Sequence, residues 1–316
     1  MAKKGITYKM KFIKELPLAL SGLSLAIASL GNLLRSIPGG EIIRLICGIL
    51  SAAILILFIL KVILDSKNVK EELKAPLPLS VLPTSTMALM NLCTYIMPFA
   101  GIFAVALWYA AALVHVCIVL VFFKRFLLGF KLESVYPSWF IVFVGLAAAS
   151  ITGPAVGAFL VGRASFYVGF ALYFVALVLI ICRMLKQGQL PERARPTIAI
   201  FTAPMGLLTV GYVNSYVQQG QANETLIYIM LSIAAMSYIF VTVMMFSLLR
   251  IKFYPTYAAF TFPYVISATA FRFGTAFLSE RGIQIAPVAI ITQWIAVAVV
   301  FYVLLRYIIH YSRSSA

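Results

Sequence analysis

Ten long apolar runs alternate with short polar connections along the chain. They lie near residues 16–34, 42–64, 79–97, 100–123, 137–157, 163–182, 197–217, 224–249, 255–278 and 286–309. Each is continuous, without the polar–apolar alternation of a half-buried strand, and each is close to the roughly 20 residues that cross a hydrocarbon layer as a helix. The pattern predicts an all-α integral membrane protein with ten transmembrane helices. A transmembrane barrel is excluded, because barrel strands alternate. The longest polar connection, Asp65 to Pro78, is too short for an extramembrane domain, so residues 1–316 are read as a single transmembrane domain.

Prolines divide these runs into repeats. Pro78, Pro137, Pro196 and Pro255 are each 59 residues apart, and each opens an odd-numbered span. Proline is tolerated there because its missing N–H costs no hydrogen bond. A 59-residue unit holds two spans, so successive units keep one orientation and are related by an axis along the membrane normal. Five helical hairpins about such an axis make a ring. A second set of prolines lies deeper in the odd spans: Pro17, Pro83, Pro204 and Pro263, with Pro154 late in the fifth and Val142 near the place a fifth would stand. A proline inside a membrane helix frees a carbonyl that needs a partner. These prolines either line a central pathway or kink a packed bundle; their periodicity favours the pathway, with odd spans inside.

Composition and charge sharpen this. Of 316 residues 63% are hydrophobic and 11% charged, against roughly 25% charged in soluble domains, and the mean hydropathy is +1.04. The net charge is +16. Sorted by side, twenty basic residues fall with the termini and five (Arg35, Arg44, Arg163, Arg272, Arg281) opposite. Cytoplasmic loops carry the basic excess, so both termini are expected in the cytoplasm of a multi-pass protein of a cell (plasma or inner) membrane. The basic residues thus speak for topology and the lipid bilayer, and no nucleic-acid partner is expected. Cys47, Cys93, Cys117 and Cys182 lie in apolar stretches, and His115 and His310 stand far apart; no metal or other cofactor is expected.

Chemistry-bearing groups are few. No carboxylate stands between Glu72 and Glu133, whereas proton-coupled carriers place acids or histidines within the membrane. A neutral path in a basic protein favours anions. His115 is either a proton site or a packing residue. Arg272 either attracts anions to an outer mouth or snorkels to the interface. Lys61, Lys124 and Arg125 read as interface anchors, and Gly153 with Gly157 as a close-packing pair. No GxSxG, HExxH or GxxxxGK[ST] stands in a suitable context, so no catalytic residue is assigned and no enzyme is expected.

Five stretches, in order, resemble the tellurite-resistance/C4-dicarboxylate transporter family, which includes bacterial tellurite-resistance protein A and the slow anion channel of plant guard cells. They are Leu16-Pro17-Leu18-Ala19-Leu20, Leu82-Pro83-Thr84-Ser85-Thr86-Met87, Tyr136-Pro137-Ser138-Trp139, Ala203-Pro204 and Ala259-Phe260-Thr261-Phe262-Pro263. The resemblance implies five hairpins in a quasi-fivefold ring around a central pore, assembled as a homotrimer. It also implies a pore gate at Phe262, beside Phe260; from composition alone Phe262 is one of 24 phenylalanines. Glu15 stands where the family commonly has glycine. With Lys14 it either sets the electrostatics of the pore mouth or is an exposed residue. The expected function is an anion channel for small monovalent anions such as chloride or nitrate. The alternative is a secondary carrier or exporter of oxyanions (sulfite, tellurite) or C4-dicarboxylates.

Overall fold

The computed structural model describes residues 12–217, 220–221 and 223–314. Lys3, Lys4, Lys9 and Lys11, counted above with the termini, lie outside them. All regular structure among the described residues is helical. After a helical stretch at 12–15, the α-helices are α1 (Leu20–Leu34), α2 (Gly40–Leu64), α3 (Ser66–Glu72), α4 (Pro76–Val81), α5 (Pro83–Phe126), α6 (Trp139–Val144), α7 (Ala148–Thr152), α8 (Phe159–Gln187), α9 (Ala203–Ser215), α10 (Glu224–Leu248), α11 (Thr261–Ser279) and α12 (Ala286–Ser314). Three-residue-per-turn helix joins several of them, at Gly145–Ala147, Gly153–Val156, Glu192–Thr202 and Pro255–Phe260.

Seven segments among the described residues are long and apolar enough to cross a membrane. The expected ten differ from these seven for stated reasons. Pro76–Phe126 runs 51 residues, far beyond one span, and its backbone breaks at Ala100, just after Pro98. α1 has only 15 residues. α11 has 19 and carries Arg272 within them.

The segments fall into two kinds. In Trp139–Val156 and Glu192–Ser215 the apolar window is 72% and 89% buried, against 33% in α2 and 28% in α8 and α10. The buried segments are interrupted and rich in small residues; the others are uninterrupted and carry apolar stripes outward. On α2, Ile42, Ile49, Ile56 and Ile63 stand seven residues apart and all are exposed, a face suited to acyl chains. α1 packs on α5, α5 on α7, α7 on α9, α9 on α11, and α11 back on α1; α2, α8, α10 and α12 lie against these.

The prolines of the second set stand at breaks, not inside α-helices as the sequence suggested. Pro17 lies in the turn before α1. Pro83 is the first residue of α5, Pro204 the second of α9 and Pro263 the third of α11. In a first turn the absent N–H has no intrahelical acceptor to lose, so the break is made where proline costs least. In the fifth span the break falls at Gly145 and again at Gly153, and Val142 is inside α6.

Hydroxyl and amide side chains serve carbonyls near these breaks, as a low-dielectric surrounding requires. Ser267 donates to Thr202 O (3.0 Å), Ser215 to Ser150 O (2.8 Å) and Asn214 to Ile151 O (3.0 Å). Side-chain pairs Ser21–Thr84 (2.7 Å) and Ser24–Ser51 (2.9 Å) join α1 to α5 and α2. Gly153 does pack closely, its α-carbon facing Gly162 of α8; Gly157 instead takes φ +76° in a turn with open space around it. Only the first of the pair is therefore a packing glycine.

Lys61 is buried rather than an interface anchor. Its ammonium donates to the Lys14 carbonyl and to Asp65 Oδ2 (2.5 Å), with Glu72 at 3.8 Å. The Lys61 hydrogen bond holds the Asp65 carboxyl below its ordinary range, against the opposing effect of burial.

Candidate functional site

Two cavities run through the middle of the bundle. The narrow one, about 60 Å³, is lined by residues from the start of each buried segment, among them Ala19, Thr84, Ile141, Pro204 and Phe262. Its wall is almost wholly apolar. The wide one, about 630 Å³, is lined towards the other ends of the same segments, with Ser29, Asn32, Arg44, Asn91, Thr94 and Thr269 among its polar groups.

Four side chains line both cavities: Leu25 of α1, Met87 of α5, Leu207 of α9 and Phe262 of α11. They form the boundary between them. The segment between α5 and α9 gives Gly145 to the narrow cavity and Ala148 to the wide one, with no large side chain at that level. All four boundary side chains are apolar, and Phe262 is the largest. It stands second in α11, directly before Pro263. Among the described residues no aromatic ring packs on Phe262, whereas Phe260 next to it is fully buried and sits edge-on to Tyr257 at 4.8 Å.

Of the residues singled out from sequence, Phe262, Pro204 and Pro263 line the narrow cavity, and Phe262 and Pro154 the wide one. Pro17, Pro83, Val142 and Phe260 do not line either: Val142 and Phe260 are buried in packing around the wall. Glu15 and Lys14 are exposed in the short helical stretch before Pro17 and stand outside both cavity walls. Arg272 also lies outside them; its guanidinium donates to Leu33 O at 2.6 Å, joining α11 to the end of α1. Neither role foreseen for it, attracting anions or snorkelling, describes that contact.

His115 is fully buried. Its Nδ1 is 2.8 Å from Thr86 Oγ1, and its Nε2 has no hydrogen-bond partner. A methyl group placed on Gly145 would meet the imidazole at 3.4 Å and Met87 Sδ at 3.1 Å, so glycine lets the ring pack directly behind the boundary.

The polar end of the wide cavity was missed in the sequence. Arg44 on α2 donates from Nε to Asn32 Oδ1 (2.8 Å) and from Nη2 to Thr94 O (3.1 Å), and lies 4.2 Å from the centre of the Tyr95 ring. Asn32 donates to Asn91 Oδ1 (2.7 Å), and Asn91 to Ser29 Oγ (2.8 Å). Arg35 lines the same cavity but is paired with Glu41 at 2.6 Å. No aspartate or glutamate is among the residues lining either cavity. Such a lining, neutral at the boundary and positive at one end of the wide cavity, suits anions better than cations.

Comparison with known proteins agrees with this chemistry. Over 174 residues the chain is 28% identical to an uncharacterized transporter of Methanocaldococcus jannaschii, a match covering 51% of each chain, so it spans about half the length of that relative. The profile of the voltage-dependent anion channel family matches residues 15–308. That stretch takes in every residue named above on either cavity wall, and the resemblance noted from the proline-bearing stretches is borne out: the chain belongs to the voltage-dependent anion channel family.

Proposed function

We propose that the protein is an anion channel conducting small monovalent anions such as chloride or nitrate, with Phe262 as its gate. The observation that carries this is the apolar boundary of Leu25, Met87, Leu207 and Phe262 between a narrow and a wide cavity. A dry constriction stops ions because they cannot shed their water there, and moving one large side chain aside admits water and ion together. Phe262 is suited to that movement, being the largest of the four and free of ring stacking among the described residues. Pro204 and Pro263 shape the narrow side of the path. In this reading the chain has ten spans in five hairpins about a quasi-fivefold axis. The sequential packing of α1, α5, α7, α9 and α11 and the 59-residue repeat support it. The homotrimer and the cell membrane location with cytoplasmic termini belong to the same proposal; the first comes with the family resemblance, the second with the distribution of basic residues.

The test is anion conductance of purified protein in planar bilayers, parent against Phe262→Ala. Truncation is expected to raise chloride or nitrate current by about tenfold or more, the size of effect that removing a barrier of a few kcal/mol produces. No current from either form, with saturable pH-driven uptake of dicarboxylate or sulfite, overturns the channel and leaves a carrier.

A further inference from the structure

The hydrogen bonds at the polar end of the wide cavity have a direction, and Arg44 sets it. A guanidinium only donates. Asn32 must therefore present its oxygen to Arg44 and turn its amide nitrogen away, towards Asn91. Asn91 must in turn present its oxygen and point its own nitrogen at Ser29. Every side-chain oxygen in the chain of contacts is used as an acceptor. Unused donors remain: three of the five guanidinium N–H groups, two being used, and one N–H on each amide.

Charge leads to the same place. Among the described residues no carboxylate lies within ion-pair distance of Arg44. Its partners are a neutral amide, a backbone carbonyl and an aromatic face. The other cation on this wall, Arg35, already has Glu41. An uncompensated guanidinium beside low-dielectric walls favours a counter-ion strongly. The group is also preorganised: the Tyr95 ring lies under it, and Tyr95 is itself tied by its hydroxyl to Ala28 O. A site held ready in this way spends little on ordering when it binds.

We propose that Arg44, Asn32 and Asn91 form an anion-binding site in the wall of the wide cavity, and that its ligand is a small monovalent inorganic anion. One unpaired positive charge and a few convergent N–H donors match a single negative charge. The inference deepens the anion-path reading above and rests on it for the presence of such ions in the cavity.

The experiment is thermal unfolding of the purified full chain against sodium nitrate and sodium chloride, with sodium gluconate as the ionic-strength control. Three variants accompany the parent: Arg44→Gln, Asn91→Asp and Phe262→Ala. The Asp variant keeps the shape and can still accept from Asn32, but puts a carboxylate where the ligand would sit. Its unfolding without added anion checks that it is folded. Parent and Phe262→Ala are expected to show a saturable rise in Tm with nitrate or chloride beyond gluconate. In Arg44→Gln and Asn91→Asp the half-saturating concentration should rise by about tenfold or more, the loss expected for a charge-assisted contact. Folded variants with parental anion dependence overturn the site, and so does a parent with none. If Phe262→Ala conducts while no anion dependence is seen, the site falls and the channel stands. If Arg44-dependent binding is seen without current, the site stands and the channel reading falls.

Discussion

Asn32 and Asn91 stand 59 residues apart and hydrogen bond side chain to side chain at 2.7 Å. The interval is that of the opening prolines, so the two amides hold the same place relative to successive prolines. A double-mutant cycle with Asn32→Ala and Asn91→Ala is expected to show a coupling of about 0.5–1.5 kcal/mol, the range of hydrogen bonds between membrane helices. Reversible unfolding in mixed micelles reads it. Additive effects would mean the contact contributes nothing to the fold.

Gly145 leaves a gap in the ring of large side chains at the cavity boundary. Gly145→Ala places a methyl 3.1 Å from Met87 Sδ and 3.4 Å from His115, a tight contact that the flexible thioether can relieve. Gly145→Leu fills the gap. In a conducting Phe262→Ala background, the alanine is expected to lower nitrate current a few-fold, and the leucine by about tenfold or more, as a rebuilt dry plug would. Equal currents for all three forms would remove Gly145 from the path.

Lys61 and Asp65 give a pH-dependent contribution to stability. The Asp65 carboxyl titrates below its ordinary range in the folded chain, so folding favours its ionised form. The contribution is complete above the unfolded value of roughly 4 and is lost as pH falls through the folded value. Lys61→Met should destabilise by about 2–3 kcal/mol at pH 7, by leaving Asp65 without its cation. Asp65→Asn should flatten the acid limb of a Tm-against-pH curve below about pH 4. An unchanged acid limb in that variant would place the sensitivity elsewhere.

Arg272 ties α11 to α1 through Leu33 O. Arg272→Gln is expected to lower Tm by a few degrees, as loss of one charge-assisted bond of about 1.5–3 kcal/mol does. Anion selectivity, read as the reversal potential of the Phe262→Ala channel in a chloride gradient, should stay as it was. A shifted reversal potential with unchanged Tm would return Arg272 to the electrostatic role.

The proline pattern carried much of the architecture. Proline lacks an N–H wherever it stands, so its positions mark breaks in the buried segments. Facing was harder to read. Phe260 and Phe262 are two residues apart, yet one is packed away and the other lines both cavities. The chain passes from three-residue turns at Pro255–Phe260 into α11 between them. Residues two apart point to opposite sides of a helix, about 200° apart in α-helix and about 240° apart in three-residue turns, so the two rings do not share a face under either winding. Val142 was misplaced for another reason: the fifth span breaks at Gly145, and a missing side chain leaves little mark in a hydrophobic run. Arg44 was hidden because a positive charge near a span end looks the same whether it serves topology or a cavity. Its companions did leave a signal, since the Asn32–Asn91 interval equals the proline interval.

The bond between Leu33 and Arg272 joins positions 239 residues apart, and α1 is a neighbour of both α11 and α12. During synthesis α1 is made more than 200 residues before these neighbours exist. Its serines find α2 and α5 early, whereas the Leu33 carbonyl has no Arg272 to meet until α11 is made. Contacts of such long sequence separation form late, so the α1–α11 contact is expected to follow those of α1 with α2 and α5. A chain stopped before α11 is therefore not a smaller version of the protein. Its α1 keeps the serine contacts with α2 and α5 but leaves the Leu33 carbonyl without the Arg272 guanidinium that serves it.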